Sequence, residues 1–280
     1  MAKILSLTSH VVYGHVGAQA GILPLQRLGH EVWHLPTVLF SNHPGYGGYA
    51  GGPVAAERLA ELLEGVAARG FLDDCAALHA GYLGAAAAVD TALAALTALR
   101  QANPGALFFC DPVLGDEGRL YVPEDLAAAL RDSLVAQADI VTPNRFELEY
   151  LDGGPIGSLA EAAAAANRLR QRGPRVVVCT GAALRDGELG SLVVDDAGAA
   201  VVWTPHQQPA PKGTGDAFAA ILLGRYLRGQ DIREAQALAS ASLHGLIAAS
   251  NTAGSGELAL IDGQDEIVEP STEFVVEPLA

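Results

Sequence analysis

Positive charge is scarce in this chain. Its 280 residues carry 17 lysines and arginines against 32 aspartates and glutamates, a formal net charge of −15. No basic surface is left over to neutralise a polynucleotide backbone, so nucleic acid is not expected as a partner. A small anion needs only a local pocket and stays open as a ligand. Cysteine is sparse as well: Cys75, Cys110 and Cys179 stand far apart, each in or beside a strand-like run. The number is odd and the spacing fits no metal-ligand pattern, which favours buried free thiols in a reducing compartment. Long apolar runs are also missing. The opening run Met1–Ser9 is too short for a signal peptide. The most apolar long window, 75–99, is mostly alanine and contains His79 and Asp90, so it does not read as membrane-spanning. A soluble, cytoplasmic protein with no membrane partner is expected. Neither G-x-x-x-x-G-K-[ST] nor a G-x-G-x-x-G after the first strand occurs, so the two commonest phosphate cradles are absent. No repeat and no Pro/Ser-rich linker divides the chain, and residues 1–280 are read as one domain.

Half the residues are apolar and 18% are charged, enough for a substantial core. Strand-like and helical runs alternate almost throughout, which predicts an α/β fold: a central, mostly parallel sheet with helices on both faces. Strands are expected at 3–8, 31–38, 76–79, 106–110, 139–141 and 175–179, with a hairpin pairing 191–195 and 199–204. Besides a helix opened by Pro53 after the glycine-rich loop 41–52, helices are expected at 18–28, 85–101, 123–136, 161–172, 215–228 and 232–249. Asp231 with Glu234 three residues on starts the last of these, and the tail from Asn251 is acidic and less regular.

The chemistry is organised around 211–224, Pro-Lys-Gly-Thr-Gly-Asp followed by an apolar run. Gly213, Thr214 and Gly215 can form a tight turn, and Ala217 to Leu223 reads as a buried helix leaving it. The first turn of such a helix presents unpaired N–H groups at its electropositive end, where an anion fits. Asp216 places a carboxylate beside that anion. Phosphoryl transfer needs this pair, donors for the phosphate and a carboxylate for the attacking hydroxyl. A glycine turn with an aspartate favoured at a helix start gives the same pattern, and spacing alone does not separate the two. Polar groups also gather where strands end: Thr8-Ser9-His10, Ser41-Asn42-His43, Gly81-Tyr82, Asp111, Thr142-Pro143-Asn144 and Thr180-Gly181. Open parallel sheets collect ligands at that edge. Asn144 with Glu147 is a capping box by spacing, and the same spacing puts both side chains at one helix end where they could serve hydrated Mg²⁺. His30-Glu-Val-Trp-His34 matches the H-E-x-x-H zinc pattern, but it follows Gly29 and runs into a strand, whereas that chemistry requires a helix.

Taken together these segments resemble the pyridoxal kinases, members of the ribokinase-like group of vitamin and sugar kinases. Ser9–Gly17, Phe40–His43 with Tyr46, and Gly81–Gly84 look like substrate segments. Cys110–Asp116, Tyr121–Leu126, Thr142–Asn144 with Glu147, and Gly213–Asp216 look like the nucleotide side. Order and spacing hold to the tail, where Glu257–Pro270 is also similar.

The resemblance implies ATP-dependent phosphorylation of the 5′-hydroxymethyl group of pyridoxal. Ser9 would bind the pyridine ring with Tyr82 beside it, and Val16 and His43 would line the pocket. Asp111, Asp116, Thr142, Asn144, Glu147, Thr180 and Lys212 would serve the nucleotide, with Asp111 and Glu147 at Mg²⁺. A monovalent cation such as K⁺ and a homodimer are further family expectations. Asp216 would be the base and the Gly213–Gly215 amides the phosphoryl cradle. The helix start is expected to keep Asp216 ionised and weakly basic. Two departures stand out: Pro44 where threonine is common, and Ala18 where asparagine is frequent. Hydroxymethylpyrimidine is the alternative substrate. A non-catalytic carrier of vitamin B6 is the alternative class, and it would have no use for Asp216.

Overall fold

The computed structural model describes residues 1–254 and 256–279. Its main sheet is built from β1 (Lys3–Tyr13), β2 (Glu31–Asn42), β3 (Gly51–Pro53), β4 (Cys75–Ala80) and β5 (Leu107–Cys110), continued by five later strands. A small hairpin, β6 (Gly115–Asp116) and β7 (Arg119–Leu120), stands apart as a second sheet. The main sheet resumes with β8 (Ile140–Val141), β9 (Val176–Arg185), β10 (Glu188–Asp195), β11 (Gly198–Pro205) and β12 (Val276–Pro278). The order across it is β12-β11-β10-β9-β8-β5-β4-β1-β2-β3. From β9 to β2 all neighbours are parallel, so every one of those strands ends at the same edge. The flanks, β9-β10-β11-β12 and β2-β3, are antiparallel.

Period-two alternation assigns the two faces. Along β5, Phe108 and Cys110 enter one core while Leu107 and Phe109 enter the other, and all four are buried. The first core packs α2 (Ala56–Ala67), α3 (Ala87–Ala102), α4 (Glu124–Ala129), α5 (Arg145–Asp152) and α6 (Leu159–Arg170). The second packs α1 (Ala18–Arg27), α7 (Thr214–Leu227), α8 (Ile232–Ala253) and α9 (Gln264–Val268). Helix α7 is apolar all round and buried from Ala217 to Arg225, as a helix pressed between a sheet and its neighbours must be. Cys75, Cys110 and Cys179 are buried free thiols, and burial raises each above the ordinary thiol range.

Four expectations need correcting. β1 and β2 run on past Thr8 and Val38, because an irregularity between Thr8 and His10 lets the pairing resume at His10–Leu39 and continue to Tyr13–Asn42. Pro53 does not open a helix. It lies in the edge strand β3 opposite Val38, a place where a missing N–H costs nothing, and α2 starts at Ala56. The helix expected over 123–136 ends as α-helix at Ala129, widens into a π turn over Leu130–Leu134 and tightens over Val135–Gln137. β9 continues to Arg185 and turns back directly into β10, so the 191–204 hairpin is the second of two. The H-E-x-x-H stretch runs into strand β2 from Glu31 onward and forms no helix. His30 bonds the Ala2 amide and the Gly224 carbonyl, while His34, on β2, bonds the Thr8 carbonyl.

Candidate active site

Two helix starts meet at Asp216. Gly213 caps α7 in the left-handed conformation (φ 85°), with no side chain covering the helix end. A Cβ there would lie 1.8 Å from the His15 carbonyl oxygen, so the segment before α1 is pressed against the turn and only glycine fits. Gly17 caps α1, also at positive φ, and its amide bonds the Asp216 carboxylate. A Cβ on Gly17 would sit 2.3 Å from Ser9 Oγ, which places the Ser9 hydroxyl directly beneath that loop. Ser9 and the Asp216 carboxylate thus both lie against Gly17. The sequence reading passed over Gly17; a glycine immediately before a helix and facing a second glycine turn was the available signal.

Burial pushes the Asp216 carboxyl up to about 6, against the opposing pull of the Gly17 amide and its own N–H. This reverses the expectation of a weakly basic carboxylate. Partial removal of the group from water outweighs the helix end, and the result is a stronger base near neutral pH.

A second group of carboxylates lies on the β5–β8 side of the same edge. Asp111 follows β5, is buried, and accepts a hydrogen bond from the Thr142 hydroxyl at 2.9 Å. Burial first, then the charges of Glu147 and Asp216, raise it well above the carboxylate range. Asn144 and Glu147 form the complete capping box of α5: Asn144 Oδ1 accepts from the Glu147 N–H at 2.9 Å, and Glu147 Oε2 accepts from the Asn144 N–H at 2.8 Å. Glu147 Oε1 also accepts the amides of Leu114 and Gly115, and Asn144 Nδ2 donates to the Gly115 carbonyl. The motif therefore ties down the β6–β7 hairpin. Burial raises Glu147 to about 8 in spite of those amides. Tyr121, which the sequence reading placed only within a motif, is half exposed; partial loss of water and then the charges of these acids raise its phenol. Asp116 is exposed on β6 and adds its charge to Glu147. Thr180 joins the edge through a bridge to Asn144.

The donor set fits a hard cation. Mutual repulsion of Asp111, Glu147 and Asp216 marks a place that lacks positive charge, and its donors are oxygens. Both Glu147 oxygens accept backbone amides, three in all, which leaves Glu147 little acceptor capacity for a cation beyond its charge. Asp111 has the freer carboxylate. Among the described residues no three His, Cys, Asp or Glu side chains lie close enough together to hold an ion by themselves.

The remaining predicted residues sit on the β1–β4 side. Val16 is half-buried before α1. Tyr82 follows β4, half-buried, and its carbonyl accepts the Thr37 hydroxyl at 2.6 Å. Gly84 leaves room for Val38, whose methyl would lie 2.1 Å from a Cβ there. His43 opens a single turn over Pro44–Tyr46, its Nδ1 accepting from the Gly45 amide at 3.0 Å. Burial, then the charge of Lys212, lower the His43 ring. The His43 ring is therefore near Lys212, on the stretch that leads into the glycine turn. Lys212 is exposed and bridges to Glu257, a residue to which the sequence reading gave no role.

The family model described as phosphomethylpyrimidine kinase matches residues 52–260. The chain is 42% identical to the pyridoxal kinase PdxY of Rubrobacter xylanophilus, covering 99% of this chain and 98% of that one. It is 43% identical to the pyridoxal kinase PdxY of Deinococcus radiodurans, covering 98% and 96%. Among solved structures, the pyridoxal kinase from Leishmania donovani in complex with ADP and pyridoxine superposes with a TM-score of 0.94 at 34% identity, over 99% of both chains.

Proposed function

The chain belongs to the pyridoxal kinase family, and from that premise we propose that it transfers the γ-phosphoryl group of ATP to the 5′-hydroxymethyl oxygen of pyridoxal and related B6 vitamers. The observation that carries this is Asp216, a carboxyl raised to about 6 at an uncapped helix start, flanked by the ring-side residues and the acidic nucleotide side.

The substrate ring would lie between Ser9, Val16, His43 and Tyr82, a half-apolar pocket with few polar groups to fix orientation. Asp216 accepts the proton of the 5′-hydroxyl as it attacks. The amides at the start of α7 hold the oxygens of the transferring group, and Lys212 adds positive charge beside them. Thr142, Asn144 and Thr180 border the nucleotide. Mg²⁺, held by Asp111 with Glu147 and Asp116 contributing charge, would neutralise the phosphates. A monovalent cation such as K⁺, a homodimer and a cytoplasmic setting complete the proposal. Among the described residues no helix is long and apolar enough to cross a membrane.

The matching family model is named for a pyrimidine substrate, which keeps hydroxymethylpyrimidine as the second reading. Initial rates with pyridoxal, pyridoxine, pyridoxamine and hydroxymethylpyrimidine, followed by ADP release at saturating Mg²⁺ and ATP, separate the two. The B6 vitamers should give the higher kcat/KM. Turnover of the pyrimidine alone would replace the assignment.

A further inference from the structure

Glu257 joins three parts of the site that are far apart in sequence. Its Oε1 accepts the hydroxyl of Tyr46, at the tip of the loop that carries His43. Its Oε2 accepts the backbone N–H of His15 at 2.6 Å. His15 Nδ1 is 2.7 Å from the carbonyl of Leu258, the next residue on. The carboxylate rests on Gly14, where a Cβ would come within 3.1 Å of both oxygens, and the backbone of Glu257 bridges to Lys212. The His15 carbonyl, in turn, abuts Gly213.

Resting on the pyridoxal reading above, we propose that Glu257 is a positioning residue that latches the substrate loop through Tyr46 and, through His15, holds the catalytic glycine turn in register with it. One oxygen serves each task. Residues 44–46 bury no side chain, so the loop has little packing of its own to fix its tip. The Tyr46–Glu257 bond and the edge contact of the Tyr46 ring with Tyr13 supply what holds it. The bond also pushes the Tyr46 phenol up to about 12, so it stays a donor across the working pH range. Losing Tyr46 loosens the pocket wall without touching the turn. Losing Glu257 releases both.

The test is steady-state kinetics on Tyr46→Phe, Glu257→Ala, Glu257→Gln and the double variant Tyr46→Phe/Glu257→Ala. Tyr46→Phe should raise the KM for pyridoxal about tenfold, the effect of one hydrogen bond to a charged partner. The KM for ATP and kcat should stay within about twofold. Glu257→Ala should raise the pyridoxal KM to a similar extent and also lower kcat. Glu257→Gln, whose amide oxygen still accepts from the His15 N–H, should recover most of kcat. The double variant should be no worse in KM than Glu257→Ala alone, because both changes break one bond. An unchanged KM in Tyr46→Phe, or multiplying KM effects in the double variant, would overturn the latch while leaving the kinase assignment intact. A wild-type protein that phosphorylates no B6 vitamer would overturn that assignment and the latch with it.

Discussion

Replacing Asp216 by asparagine tests chemistry and stability in opposite directions. The carboxyl is raised from 3.8 to about 6, chiefly by burial. A shift of about two units corresponds to about 3 kcal/mol. Because the folded pKa lies above the unfolded one, the folded state binds more protons between pH 3.8 and 6. The contribution is present below that window and is lost as pH rises through it, so at pH 7 the ionised group costs stability. Asparagine keeps the size and an acceptor for the Gly17 amide while removing the charge, so the melting temperature should rise. Turnover should move the other way. With a base of pKa about 6, roughly nine-tenths is ionised at pH 7 and one-tenth at pH 5, so wild-type kcat should fall about ninefold across that interval. The variant should lose on the order of 10²–10⁴ in kcat and show no such acid limb. Any limb that persists belongs to the nucleotide or to the acids beside it, Asp111 and Glu147. The assay is kcat from pH 5 to 8 at saturating ATP and pyridoxal, with thermal melts on the same preparations. Near-normal kcat with a lowered melting temperature would make Asp216 a helix-start residue and refute the reasoning.

Three further outcomes follow from the same structure. His79 is buried and its pKa is lowered to about 4, so the unfolded chain binds more protons between about 4 and 6.5; stability should be full above pH 6.5 and fall by up to about 3 kcal/mol as pH drops through that window. Urea unfolding at pH 7 and 4.5 checks it, and His79→Gln should flatten the difference. Gly213→Ala places a Cβ 1.8 Å from the His15 oxygen at φ 85°, so the turn must shift by about an ångström and kcat should drop at least about 10²-fold; a loss under threefold would contradict the geometry. Pro44→Thr, in the exposed turn after His43, should change the relative kcat/KM among B6 vitamers without abolishing turnover, and identical ratios would remove that loop from selectivity.

What the sequence disclosed was local. The glycine turn, the start of α7 and Asp216 lie within four residues, and backbone preference determines them. Asn144 and Glu147 were legible as a capping box and as nucleotide-side residues. The structure shows the box formed and adds that the same Glu147 carboxylate ties down the Leu114 amide. Parallel topology followed from the alternation of strands and helices. Errors came where tertiary contacts overrule a local signal. Pro53 reads as a helix opener but is captured by an edge strand. The upward shift of Asp216 comes from burial by elements distant in sequence, which no helix-start argument contains. Glu257 lies 242 residues from His15 and 211 from Tyr46, so nothing short-range could announce the clasp.

The central claim is that the 5′ oxygen of pyridoxal receives the γ-phosphoryl group of ATP at Asp216. The most direct measurement is identification of the product by ³¹P NMR and mass spectrometry after incubating the purified protein with ATP, Mg²⁺ and pyridoxal, beside Asp216→Asn. Stoichiometric pyridoxal 5′-phosphate and ADP from the wild type, with the variant slowed on the order of 10²-fold or more, is the expected result. ADP formed without phosphorylated pyridoxal, or equal product from the variant, would contradict the account.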